Sequence, residues 1–210
     1  MSALHFRVLA STAFALVHQL SAAQLVVCGL GPLPGSNGFE SWNNKVELQR
    51  SQLGYLSICE QNLDRYRFED KAKDDKAVIQ KLSFIPHGLD GSVFKSFRFL
   101  GSIADGFSDK GASMYRRVYR GAGGELITLQ ELSLRDGAGV TWNRRDGMIR
   151  IRNSDALLTI VQAPSGKGHS ELSWKEGSTY FEITIDRGVN AGRTKARLIV
   201  MAESLPRERR

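Results

Sequence analysis

From residue 83 onward, apolar and polar positions alternate with a period of two. The runs "LSFIP", "VFKSFRFLGSI", "SMYRRVYR", "ELITLQELSL", "GVTWNR", "MIRIR", "ALLTIVQA", "SELSW" and "TYFEITI" are short and rich in β-branched and aromatic residues. Turn signals such as "LDG", "ADG", "GAGG", "RDGAG", "PSGKG" and "KEGS" separate them. Short alternating runs joined by Gly and Asp turns predict an antiparallel meander. No helix-length insert lies between the runs, which argues against a parallel sheet with crossover helices.

Upstream the period changes. Residues 43–64 place Val46, Leu53, Leu56 and Leu63 at roughly helical spacing, weakened by Gly54. "EDKAKDDKAVIQKL", 69–82, predicts a better helix, with Val78, Ile79 and Leu82 on one face and Glu69 four residues before Lys73. The stretch "AGRTKARLIVMAESLP" supports two patterns, a helical stripe of Leu198, Ala202 and Leu205 or a strand face of Ala196, Leu198 and Val200; the helix is favoured. The fold class is therefore α+β and β-rich: an antiparallel sheet or half-barrel of about seven to nine strands, N-terminal helices and a C-terminal helix. Two stretches echo each other, "KGASMYRRVYRGAGGELITLQE" at 110–131 and "KGHSELSWKEGSTYFEITID" at 167–186, and predict two similar hairpins in one sheet.

Residues 1–23 read as a secretory signal peptide, in which Arg7 is followed by an apolar run, a polar break and the small residues Ser21, Ala22 and Ala23. The apolar run is too short for a comfortable membrane span. No integral membrane segment is expected after cleavage, and the chain is expected to be secreted or periplasmic. Residues 24–38, with two prolines and four glycines in "GLGPLPGSNG", form an irregular lead-in. Residues 39–206 form a single globular domain, helical over 43–82 and a β-meander over 83–186, and "RERR" is a basic tail at 207–210. Cys28 and Cys59 both follow the cleavage point, and an even cysteine count in an exported chain predicts a disulfide. By the chain-entropy model, closing a loop of about thirty residues is worth roughly 3–4 kcal/mol.

The 210 residues carry 29 Lys+Arg against 22 Asp+Glu, a formal charge of +7 that favours anionic partners. An export signal and the absence of an RNP-type motif argue against nucleic acid. "GHSEL" at 168–172 nearly spells the G-x-S-x-G of a serine hydrolase, but its fifth position is Leu172 and a second strand follows where a helix is needed. The stretch reads better as a hairpin with a Glu176–Gly177 turn that pairs Trp174 with Thr179 and Leu172 with Phe181. Leu172, Trp174, Phe181, Ile183 and Ile185 then share a core face, and Ser170 is dispensable. "SVFK" at 92–95 lacks the partner motifs of penicillin-interacting enzymes, and no Walker, G-x-G-x-x-G, C-x-x-C or EF-hand motif occurs.

Only His87 and His169 remain after the signal, so a histidine-based site must use one of them with a carboxylate, such as His87 with Asp90 in "PHGLDG". Arg117 shares strand parity with Tyr119, and Arg150 with Arg152, so these four are the candidate anion-binding face. The competing assignment is a solvated outer face whose arginines pair with Glu125, Glu131 or Asp136. No cofactor or metal is called for. The expectation is an exported, non-enzymatic binding or accessory domain that recognises an anionic glycan, a lipid head group or an acidic protein surface. The alternative is a small secreted hydrolase using His87 or His169 with a nearby carboxylate.

Overall fold

The computed structural model describes residues 25–28, 31–33, 35–64, 68–135, 148–187 and 191–207. The predicted signal peptide, the predicted strand in "GVTWNR" and the end of the basic tail lie outside the described residues. Helix α1 (Phe39–Leu53) leads to β1 (Leu56–Ser57), a crossing segment, and the short helix α2 (Asp75–Ile79). A 3-10 turn (Val93–Ser96) leads into β2 (Arg98–Ser108), followed by β3 (Gly111–Arg120) and β4 (Leu126–Ser133). Then come β5 (Met148–Ile151), β6 (Ser154–Gln162), β7 (Gly168–Glu176), β8 (Thr179–Ile185) and the C-terminal helix α3 (Ala191–Ser204).

The eight strands form one open sheet in the order β1-β6-β7-β8-β4-β3-β2, with β5 also paired to β6. Every strand pair is antiparallel except β1 with β6. The two echoing stretches are the hairpins β3–β4 and β7–β8, which abut through β4 and β8. The turn of the second hairpin is Gly177–Ser178, one residue later than predicted, so Trp174 pairs with Phe181 and Leu172 with Ile183. Moving a turn by one residue moves each cross-strand partner by two. Side chains alternate with a period of two, so the face assignment survives.

One face of the sheet is apolar. Tyr119, Ile127, Leu129, Ile183, Ile185, Leu172 and Trp174 pack there against Phe94 and against Leu198, Met201, Ala202 and Leu205 of α3. Trp174 stacks on Phe181 with ring centroids 5.1 Å apart. Burying each such side chain contributes about 1.5–3 kcal/mol, so the tail forms a helix because that stripe meets this face. The other face is polar: Arg116, Gln130, Glu182 and Ser173 form one cross-strand row, and Thr128, Thr184 and Glu171 the next. Most of these groups are nonetheless buried or half-buried. The chain leaves β1 at one edge and bridges Lys73 to Ser102 of β2 at the other, so it crosses this polar face. Phe68 of the crossing lies 3.7 Å from the Arg116 guanidinium.

The N-terminal helices differ from expectation. Helix α1 starts earlier and stops at Gly54, whose φ of 76° is the left-handed cap that glycine adopts without strain. Leu56 then enters a strand and packs with Val46, Ile58 and Val161. The 69–82 helix shrinks to α2, because Lys73 exchanges backbone hydrogen bonds with Ser102 and Asp74 caps the amide of Ala77 instead. "LSFIP" forms no strand, and β2 runs through the "ADG" turn signal as far as Ser108. The lead-in is partly ordered, with Val27 bridged to Ile58 and Cys28 disulfide-bonded to Cys59. No helix among the described residues is long and apolar enough to cross a membrane.

Candidate functional site

The four candidate anion-binding residues do not share a face. Arg117 and Tyr119 lie on β3, while Arg150 lies on β5 and Arg152 just beyond it. Strands β6, β7, β8 and β4 stand between them. Arg117 is buried, and its Nη1 donates to Glu131 Oε1 at 2.6 Å on the neighbouring strand β4. Its Nη2 donates to the carbonyl of His87 at 2.7 Å, and the guanidinium lies 4.6 Å from the Tyr115 ring. Burial lowers the Arg117 pKa, but the Glu131 charge and two tyrosines more than offset this, leaving it raised. Tyr119 does point the same way, but into a ring cluster with Phe94, Phe97 and Phe99 at 5.4, 6.4 and 5.4 Å. Burial pushes its hydroxyl well above the usual tyrosine range.

Arg152 is the one non-glycine residue with positive φ among the described residues, at 54°. Its guanidinium binds the Glu176 carboxylate at 3.0 Å and the carbonyls of Glu203 and Leu205. It therefore ties the end of α3 to the sheet. Arg150 is exposed and donates to the Asn153 carbonyl at 3.2 Å. The shared-face assignment is thus corrected: Arg117 and Tyr119 do share a face, but Arg152 lies past the end of β5 at positive φ and turns to Glu176 and the end of α3, so strand parity does not tie it to Arg150, and the topology separates β3 from β5. Two of the three guanidiniums are already engaged by the protein's own carboxylates.

His87 meets a carboxylate, though not the one its local sequence suggests. Asp90 pairs with Lys95. Glu131, 44 residues away, accepts from the His87 amide at 2.9 Å and lies 2.7 Å from its Nδ1. The His87 ring also stands edge-on to Phe181 at 4.9 Å. Clefts of about 480 Å³ and 340 Å³ both include His87 in their walls. His169 is buried on β7. Ser170 is wholly buried, with Ile160 and Ile185 as its cross-strand partners, so no substrate reaches its hydroxyl.

A cleft of about 940 Å³ opens where the crossing segment meets one end of the polar face. Glu60, Asp64 and Glu69 come from the crossing, Ser165, Lys167 and His169 from the β6–β7 turn and β7, and Leu126 and Asp186 from the ends of β4 and β8. Among the described residues that line it, four are carboxylates and one is a lysine. Hydrogen bonds from Ser165, then Lys167 at 3.3 Å, hold the Glu60 carboxyl below its usual value. Glu69 pairs with Arg120 at 2.6 Å. Asp186 is exposed along part of its side chain, yet its carboxyl is pushed up. Lost solvent is the main cause and the Glu69 charge adds to it, while the Leu126 amide and Arg120 pull the other way. A raised carboxylate in a concave, charged site is a recognised mark of function.

The turn signal "PSGKG" contained two of these residues, Ser165 and Lys167. The acidic side, however, comes from a segment whose path over the sheet has no periodic signature. Comparison with known protein families, curated proteins and solved structures finds no match.

Proposed function

We propose that the chain is an exported, non-enzymatic binding domain that holds a small polar, positively charged ligand in the 940 Å³ cleft. The observation that carries this reading is the convergence of Glu60, Asp64, Glu69 and Asp186 from distant segments on a cleft whose lining, among the described residues, holds one lysine, Lys167, with Arg120 behind Glu69. An ammonium group there would exchange water for several carboxylates at once, and charge-assisted hydrogen bonds are the stronger kind. The Cys28–Cys59 disulfide is compatible with an oxidising compartment. Titration calorimetry with putrescine, glucosamine and citrate tests the ligand class. Putrescine or glucosamine is expected to bind and citrate not. Asp186→Asn should weaken the amine about tenfold, or ~1.4 kcal/mol. Binding of citrate alone would reverse the charge assignment.

One observation favours a second reading, a hydrolase. A carboxylate on Nδ1 orients an imidazole and raises its basicity, and Glu131 stands 2.7 Å from His87 Nδ1 at the wall of two clefts. This reading expects the protein to cleave nitrophenyl esters and His87→Gln to lose that turnover. An inactive wild-type protein removes it.

A further inference from the structure

The end of the sheet where β4 begins and β8 finishes sends alternate residues to opposite faces. Leu126 and Asp186 line the acidic cleft. Their neighbours Glu125 and Arg187 turn toward α3. The Glu125 side chain is only 2% exposed, yet two arginines reach it. Arg197 of α3 binds Oε1, and Arg187 Nη2 lies 3.7 Å from Oε2 and donates to the Gly123 carbonyl. The turn before Glu125 is shaped around these groups. A Cβ on Gly121 would fall 2.3 Å from Glu125 Oε1, and one on Gly123 would fall 2.5 Å from Arg187 Nη2. A side chain at either glycine would have to push the Glu125 carboxylate or the Arg187 guanidinium out of this arrangement.

The charge here is not balanced. One buried carboxylate meets two guanidiniums, and both arginine side chains still reach solvent, at 53% and 36% exposure. Arg193 and Lys195 are exposed on α3 and make no ion pair among the described residues. No acidic residue occurs between Arg187 and Glu203. Four cations thus stand against one carboxylate.

We propose that Arg187 and Arg197 at the Glu125 carboxylate, with Arg193 and Lys195 exposed on the same helix, form a docking surface for an acidic polysaccharide. Planar guanidiniums suit sulfate and carboxylate groups, and Glu125 holds two of them in place before the ligand arrives. The only large apolar side chain exposed on α3 is Val200. The helix therefore offers nothing with which to enter a bilayer, and repeated charges on a soluble polymer fit it better than lipid. The surface is independent of the acidic cleft on the other face, so the failure of either assignment leaves the other standing.

The test measures binding of the full chain to dextran sulfate, polygalacturonate, polyglutamate and phosphatidylglycerol vesicles between 50 and 200 mM salt. Wild-type protein should bind the two polysaccharides more tightly than the other probes, and less tightly as salt rises. Arg193→Gln with Lys195→Gln should weaken polysaccharide binding about tenfold at low salt. The slope of log K against log salt should fall by about one to two, with the melting temperature unchanged. Lys76→Gln with Lys81→Gln removes the same charge from the α2 side and should change little. Equal losses in the two double variants, or preference for vesicles or polyglutamate, would overturn the proposal.

Discussion

Glu125 and Glu131 stand six residues apart on the same face of the same strand line, both buried and both bound by arginine, and they do opposite things. Glu131 is fully enclosed. Arg117, the His87 amide and His87 Nδ1 surround it, and the Arg117 side chain is itself only 10% exposed. Glu125 lies at the rim, where its arginines lean out into water. An enclosed pair matches charge for charge, because any excess would be stranded in a dry interior. A rim carboxylate can be over-supplied with cations, because water takes the excess. The first arrangement fastens the 86–90 segment to the sheet, and the second displays charge.

The sharpest break of this comparison is Glu131→Gln. It strands Arg117 in the interior and should lower stability by about 3–5 kcal/mol in chemical denaturation. A loss below about 1 kcal/mol would mean that the enclosed site is no more demanding than the rim. Glu125→Gln should cost less, about 1–2 kcal/mol, since Arg187 and Arg197 can turn to solvent.

The smallest effects are pH-dependent and differ in sign. Burial raises the Glu125 pKa, but its own amide and the Arg197 and Arg187 charges outweigh this and leave it lowered from 4.5. Its contribution is therefore present above pH 4.5 and is lost as pH falls through the lower folded value. Glu182 on the polar face goes the other way. Burial raises its carboxyl and Arg116 only partly offsets this, so the associated stability is present below pH 4.5 and is lost as pH rises. Glu182→Gln should thus raise the neutral-pH melting temperature by a few degrees at most, an advantage that vanishes in acid. A fall in melting temperature at pH 7 would contradict that sign.

The hairpins were legible because alternation is local. Trp174 and Phe181 needed only parity and a turn to be put on one face, and a turn misplaced by one residue did no harm. The α2 region misled because its charge spacing suits a helix, whereas a strand edge that recruits Lys73 is invisible without the sheet. The site was least legible for the same reason. Arg117 and Tyr119 were paired by parity and do share a face, but that face is the core. The partner of His87 comes from a strand 44 residues away, and the acidic cleft depends on a segment that crosses the polar face from one sheet edge to the other.

The parallel pairing of β1 with β6 sets an order of events. Leu56 lies beside Val161, so a chain made from its N-terminus has produced its first strand long before its partner β6 exists. Cys28 and Cys59, separated by 31 positions, are available to each other much earlier. The long loop makes the β1–β6 contact entropically late, while the disulfide can already hold Val27 against Ile58. The N-terminal segment can therefore wait as a small stapled unit, with one exposed strand edge, until β6 emerges to accept it.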